Sequence, residues 1–227
     1  MQFIHEKIDK GYDTLKREDG ETRRYMTPNG VAYPSVTTVT GILNADSIAA
    51  WRARVGDEEA NKIGHKAATR GTAVHNLIEK YLLNDPEYGK DVLPHVMQSL
   101  VNLKPILDKR LNKIYELEVP LYSDHLKLAG TCDCACEFDG VNSIVDFKTS
   151  KWPKKKSLIS NYFVQAAAYS IMWEERTGMA MPNLVIVMDV DGGRPLTYKE
   201  HRDNWTDKLT ETIALYNKQQ NERALFG

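Results

Sequence analysis

Two aspartates and a lysine, Asp133, Asp146 and Lys148, stand in apolar, strand-like runs where charge is costly. In IVDFKTS, residues 144–150, Ile144, Val145 and Phe147 read as a strand entering a core, yet Asp146 and Lys148 interrupt it. Side chains alternate along a strand, so Asp146 and Lys148 share one face with Ile144, while Val145, Phe147 and Thr149 share the other. A buried charge costs several kcal/mol unless it is paired or holds a metal. The two residues are therefore either a salt bridge at a strand end or part of a site that sets a metal ligand beside an ammonium.

Asp133 bears on that choice through parity. It lies in GTCDCACEF, residues 130–138, the strand expected just before IVDFKTS. If the connection is Asp139-Gly140 alone, position 133 faces 146; if it runs from Asp139 to Asn142, position 133 faces 148. Either even length brings Asp133 to the face of Asp146 and Lys148, and an odd length would separate them. Two carboxylates and a lysine together suit metal-assisted phosphodiester hydrolysis. Carboxylate oxygens fit Mg²⁺ or Mn²⁺, which also bind substrate phosphate. Asp133 and Asp146 would be ligands, and Lys148 would orient the attacking water or stabilise developing charge.

Neighbouring residues extend the candidate site. Glu118, in YELEVPLY, points away from Leu117 and Val119 and either faces the same cleft or solvent. A basic loop, KWPKKK at 151–156, follows the D-x-K strand directly. Lys151 and Lys154 can neutralise phosphates, and Trp152 can stack on an unpaired base for about 1–3 kcal/mol. Arg23, Arg24 and Tyr25, with YPSVTT, are candidates for a second wall.

The elements that must hold these residues fall into two parts. RYMTPNGVAY, residues 24–33, reads as a hairpin around Pro28-Asn29-Gly30. The chain is helical in pattern from Asp46 to about Leu83, with a break expected near Gly71, and again from about Leu93 to Lys113, where Pro105 should kink it. Strands are expected at 115–122, 127–138 and 143–149. A helix from Ser160 to Thr177 ends at Gly178, and a buried strand LVIVMDV, 184–190, is followed by an edge strand PLTYKE. A final amphipathic helix carries Trp205, Leu209, Ile213 and Tyr216 on one face. The expectation is an α+β fold with a central mixed sheet flanked by helices, in one domain over 1–227: a mainly helical 1–113 and a catalytic sheet core over 114–227.

Composition narrows the class. The 227 residues are 42% hydrophobic and 27% charged, which suits a folded globular chain and argues against disorder. The formal net charge of −1 means that any nucleic-acid binding must rest on segregated charge. MQFIHEKIDK lacks the apolar run of a signal peptide, and the uncharged runs 26–45 and 157–173 are too polar to span a bilayer. A cytoplasmic protein is expected. The only cysteines, Cys132, Cys134 and Cys136, share one strand at spacing two. They are poor disulfide partners and offer no fourth ligand, so no iron–sulfur cluster is expected. They read as reduced, buried small hydrophobes, all facing away from Asp133.

Four segments together resemble the PD-(D/E)XK nuclease superfamily. GTCD at 130–133 and IVDFK at 144–148 resemble its motifs II and III. GTAVH at 71–75 and QAAAY at 165–169 resemble the GTxxH and Q-x-x-x-Y motifs of its RecB-like branch, and DFKTSK with VIVMDVDGGRP is similar to phage exonucleases and the mitochondrial genome maintenance exonuclease. The resemblance covers roughly Gly71 to the C-terminus. It implies a PD-(D/E)XK core, with metal bound by His75, Asp133, Asp146 and the backbone carbonyl of Phe147. It also implies Lys148 in catalysis and Gln165 and Tyr169 beside the substrate. Glu79, one turn after His75, is placed either to orient that histidine or to face solvent. The superfamily's proline before the first acid is replaced here by Thr131-Cys132, and the four dispersed cysteines of its iron–sulfur members are missing.

The function this implies is a Mg²⁺- or Mn²⁺-dependent DNA exonuclease, acting as a monomer on single strands with a free end. Recombination or replication proteins are possible partners, and a phage origin fits the size. Three alternatives remain at this level: a double-strand recombination exonuclease, an endonuclease, and a non-catalytic nucleic-acid-binding module on a nuclease fold.

Overall fold

The computed structural model describes residues 2–226. Its centre is a six-stranded mixed sheet in the order β1-β5-β6-β7-β8-β9. The strands are β1 (Ile4–His5), β5 (Leu111–Ser123), β6 (Leu128–Phe138), β7 (Val141–Ser150), β8 (Asn183–Val190) and β9 (Leu196–His201). β5, β6 and β7 form an antiparallel meander, β8 lies parallel to β7, and β9 returns antiparallel along the edge. The step from β7 to β8 is made by α5 (Ser160–Thr177), because parallel neighbours need a long crossover.

Helices cover both faces. α5 packs on one face with α1 (Val36–Gly41) and α6 (Thr206–Phe226), around Trp173, Phe163, Met172, Val39 and Leu209. The other face is covered by α3 (Asp57–Leu82) and α4 (Pro94–Arg110), whose Leu77, Ile78, Leu82, Leu100, Leu103 and Leu107 are buried. A strand covered on both faces loses the polar-apolar alternation of a half-exposed one. LVIVMDV does so, and every residue of β8 after Asn183 is buried.

The N-terminal part is mainly helical but also carries a small sheet, of which the sequence predicts only the hairpin at 24–33. β2 (Lys16–Glu18), β3 (Arg24–Met26) and β4 (Ala32–Pro34) form a second, antiparallel sheet. Its Tyr25 and Tyr33 pack with Leu15, Tyr122 and Ala129. The expected break at Gly71 is absent, and α3 runs through it without interruption. The chain turns instead at Gly56, whose φ of 86° is open to glycine. α2 (Ala45–Val55) and the first half of α3 meet at this turn, and Ala60 is the only buried residue from 45 to 69. Pro105 is accommodated inside α4, and Trp205 precedes α6 rather than belonging to it. Among the described residues no helix is long and apolar enough to cross a membrane.

Candidate active site

The turn between β6 and β7 sets the register of the site. Phe138 pairs with Val141, leaving Asp139-Gly140 as a two-residue connection. Both have positive φ, 51° and 78°, as a type I′ hairpin turn requires. Arg110 and Lys199 both bond the Asp139 carboxylate and hold it well below the usual range. From this turn the pairs run Glu137↔Asn142, Cys136↔Ser143, Ala135↔Ile144 and Cys134↔Val145, and there the ladder stops. The next step would oppose Asp133 and Asp146, so both carboxylates lie where the two strands part.

Asp133 fills the fork. The backbone N–H of Phe147, which β6 no longer pairs, donates to Asp133 Oδ2 at 2.7 Å. On the other side of β6 the same position is left out of the ladder with β5, although the register is kept across it. Leu117 pairs with Cys134 and Val119 with Cys132, while Glu118 between them has a φ of 46°. The faces of both strands exchange here. Cys134 and Cys136 pack with α3 and α4, whereas Cys132 packs with α5. The expectation of three cysteines on one face is therefore corrected: alternation slips at Asp133, and the carboxylate sits in the slip.

Through that opening α3 contributes His75, whose Nδ1 lies 3.7 Å from Asp133 Oδ2. Glu118 completes the group. Ligand-capable atoms of His75, Glu118 and Asp133 all lie within 4.8 Å of one another. Burial, followed by the nearby charges of Asp133 and Glu79, pushes the Glu118 carboxyl up to about 7. Two carboxyls gathered this closely, with Glu79 near them, resist simultaneous ionisation unless a cation joins them.

Asp146 and Lys148 stand beside this group on the α5 side. Asp146 is only 2% exposed. Its Oδ1 accepts from Lys148 Nζ at 2.6 Å and from Gln165 Nε2 at 3.0 Å. The ammonium also lies 2.6 Å from Oδ2, but that buried oxygen accepts no hydrogen bond. Burial raises the Asp146 carboxyl despite Lys148, and Asp133 pushes it the same way. Burial alone would lower the Lys148 ammonium, but Asp146 and Asp133 outweigh it and the net shift is upward.

The remaining candidates separate. Gln165 is buried and holds Asp146. Tyr169 is 2% exposed and lies under Gly130, where a Cβ would come within 2.8 Å of its hydroxyl. It therefore supports the site from inside, and Gly130 of GTCD makes room for it. Trp152 is 70% exposed, with Lys151 Nζ 5.7 Å from its ring centre. Lys154 turns inward and donates to Tyr162 Oη at 3.0 Å. Tyr25 is buried, Arg23 pairs with Asp19, and Arg24 donates to the Ala32 carbonyl.

The donor set fits a divalent cation. One imidazole and two carboxylates meet within ligand range, and Asp146 Oδ2, beside the Lys148 ammonium, is a further buried carboxylate oxygen. The oxygen-rich mix suits Mg²⁺ or Mn²⁺ better than a thiolate-seeking metal. Glu118 is the ligand that strand alternation alone leaves undecided.

No family model and no curated protein sequence matches the chain. Among solved structures, a protein from Eubacterium rectale provisionally named an exonuclease superposes with a TM-score of 0.47 at 13% identity. The match covers 66% of this chain and 65% of that one, so this chain spans under two thirds of its length. A protein named SSO0001 superposes with a TM-score of 0.40 at 14% identity, over 78% of this chain and 74% of that one. Neither likeness is close enough to speak to chemistry.

Proposed function

We propose that this chain is a metal-dependent nuclease that hydrolyses phosphodiester bonds of DNA, acting at free ends of single strands. The observation that carries this reading is the meeting of His75, Glu118 and Asp133 within 4.8 Å, beside the buried Asp146–Lys148 pair. A site of this donor set holding Mg²⁺ or Mn²⁺ gains Lewis-acid chemistry, which polarises phosphate oxygens and makes water a better nucleophile at neutral pH. The protein supplies the rest. The Phe147 amide and the β5 slip fix Asp133 and Glu118, and Gln165 fixes Asp146. Lys148, charged and one hydrogen bond from Asp146, steadies the attacking water and the charge that grows on the phosphate.

The preference for unpaired strands is supported by two features outside the metal group. Trp152 offers an exposed aromatic face beside the lysines of residues 151–156. α2 and the first half of α3 bury little of their surface, at the N-terminal end of the helix that carries His75. The chain would meet its DNA in the cytoplasm, as a monomer.

The test is a Mg²⁺ digestion time course on matched linear single-stranded, linear duplex and circular single-stranded DNA, the linear substrates labelled at either end. Loss of linear single strands alone is the expected result, and the labels give the direction. Cutting of circles would make the protein an endonuclease. Faster loss of duplex would favour the double-strand recombination reading.

A further inference from the structure

The lysines after β7 are not equivalent. Lys156 is paired with Glu200, Lys151 lies along Trp152, and Lys155 is exposed. Lys154 is the one that is partly buried, and its backbone is fixed by the Tyr198 hydroxyl donating to its carbonyl. Its ammonium donates to Tyr162 Oη at 3.0 Å and meets no carboxylate among the described residues.

Tyr162 is in the first turn of α5, three residues before Gln165 and so on the same side of the helix. Lys148 Nζ lies 5.1 Å from the centre of its ring, and Lys154 Nζ lies 5.3 Å from it. One phenol thus lies close to both the ammonium bound to Asp146 and an ammonium that meets no carboxylate among the described residues. Its oxygen accepts from Lys154, so its own proton is free to donate outward. A cation and a neutral O–H donor side by side, next to a hydrolytic lysine, suit an anionic oxygen of the substrate.

We propose that Tyr162 and Lys154 form a phosphate-binding step that anchors the phosphate adjacent to the one being cut. The inference rests on the nuclease reading of the same site, and it names the substrate group that these two residues hold. Lys148 is committed to Asp146 and the reacting phosphate, which leaves Tyr162 and Lys154 for its neighbour. The contact is to backbone, so it sets the strand's register without reading base sequence.

Oligonucleotides carrying a single neutral methylphosphonate at successive positions test this. Binding of each is measured by fluorescence anisotropy in Ca²⁺, and KM and kcat in Mg²⁺, for the wild type, Tyr162→Phe, Lys154→Gln and Lys154→Arg. In the wild type, one position beside the cut should raise Kd and KM about tenfold. Tyr162→Phe and Lys154→Gln should show that loss on unmodified DNA and no further loss at that position, while Lys154→Arg keeps the wild-type pattern. Variants that bind unmodified DNA like the wild type, or that show the full penalty at that position in addition to their own, would overturn the assignment. A wild type that cuts nothing but shows the same coupled Kd changes would sink the nuclease reading and leave the phosphate site standing.

Discussion

Glu118 and Asp133 oppose each other on β5 and β6, at the one step where the pairs Leu117↔Cys134 and Val119↔Cys132 are not joined by a regular pair between them. Glu118 reaches that position with a φ of 46°, a conformation that costs a non-glycine residue roughly 1–3 kcal/mol. Such strain persists only where the surroundings impose it. Here it brings a third ligand-capable side chain to His75 and Asp133 from within β5.

Glu118→Gln should weaken Mn²⁺ binding at least as much as loss of a supporting partner does in other metal sites, ~10–100-fold. Isothermal calorimetry on the two proteins reads this directly. Glu118→Gly separates ligation from folding: it removes the carboxylate and also relieves the left-handed backbone. The metal-free glycine variant should therefore melt no lower than the wild type while binding Mn²⁺ no better than Glu118→Gln. A clear fall in its melting temperature would show that the backbone is not strained there.

The raised carboxyls also give the metal-free protein a pH signature. Glu118 titrates near 7 when folded and near 4.5 when unfolded, and Asp146 shifts in the same direction. Between those limits the folded state binds more protons, so stability falls as pH rises. In chelator, the melting temperature should drop from pH 5 to pH 7.5 through these groups, and Glu118→Gln should flatten the drop. Saturating Mn²⁺ should reverse its sign, because the cation binds the ionised acids. A wild-type profile as flat as that of Glu118→Gln would contradict the burial of this cluster.

Parity makes the shared face of Asp133, Asp146 and Lys148 legible in the sequence, and the structure chooses the two-residue connection that opposes the two acids. Asp139-Gly140 is a turn signal with a mechanism, and a two-residue turn fixes which residues of β6 and β7 oppose each other. The same logic misplaces the cysteines, because it assumes unbroken alternation and the strands slip at Asp133. Nothing in YELEVPLY announces that slip, since the residue in the left-handed conformation is a glutamate rather than a glycine. The sheet of β2, β3 and β4 is half hidden for a related reason. Its strands are three residues each, too short to display a period, and only the Pro28-Asn29-Gly30 turn gives part of it away. Gly71 reads as a helix break but is not one. It lies within α3 where the helix nears β7, and a Cβ there would rest 3.7 Å from Thr149 Oγ1.

Gly130 and Tyr169 make a packing pair that can be tested without DNA. A Cβ at Gly130 would lie 2.8 Å from Tyr169 Oη and 3.0 Å from Cε1. Gly130→Ala should cost about 1–3 kcal/mol of stability through overpacking. Adding Tyr169→Phe removes the nearer contact, so the double variant should regain part of the loss in urea denaturation. Additive losses would mean that the two residues do not meet.

Arg70 and Asp189 tie α3 to the sheet just before the turn of helix that carries His75. Arg70 Nη2 donates to Asp189 Oδ2 at 2.7 Å, and Asp189 is 1% exposed with Oδ1 lacking a partner. Removing one member of a buried pair strands the other, at a cost of about 3–5 kcal/mol. Arg70→Met should show a loss of that order in chemical denaturation. Arg70→Met with Asp189→Leu should recover much of it, because neither charge is then left buried alone.

The most direct test of the metal-dependent site joins cleavage and binding in one comparison of the wild type with Asp146→Asn, on end-labelled linear single-stranded DNA. The wild type should shorten the strand in Mg²⁺ and leave it intact in chelator. Asp146→Asn should leave it intact in both and bind it at least as tightly, since the change removes a negative charge from the site. Equal cleavage by the two proteins, or cleavage that persists in chelator, would contradict a metal-dependent site built on Asp133, Asp146 and Lys148.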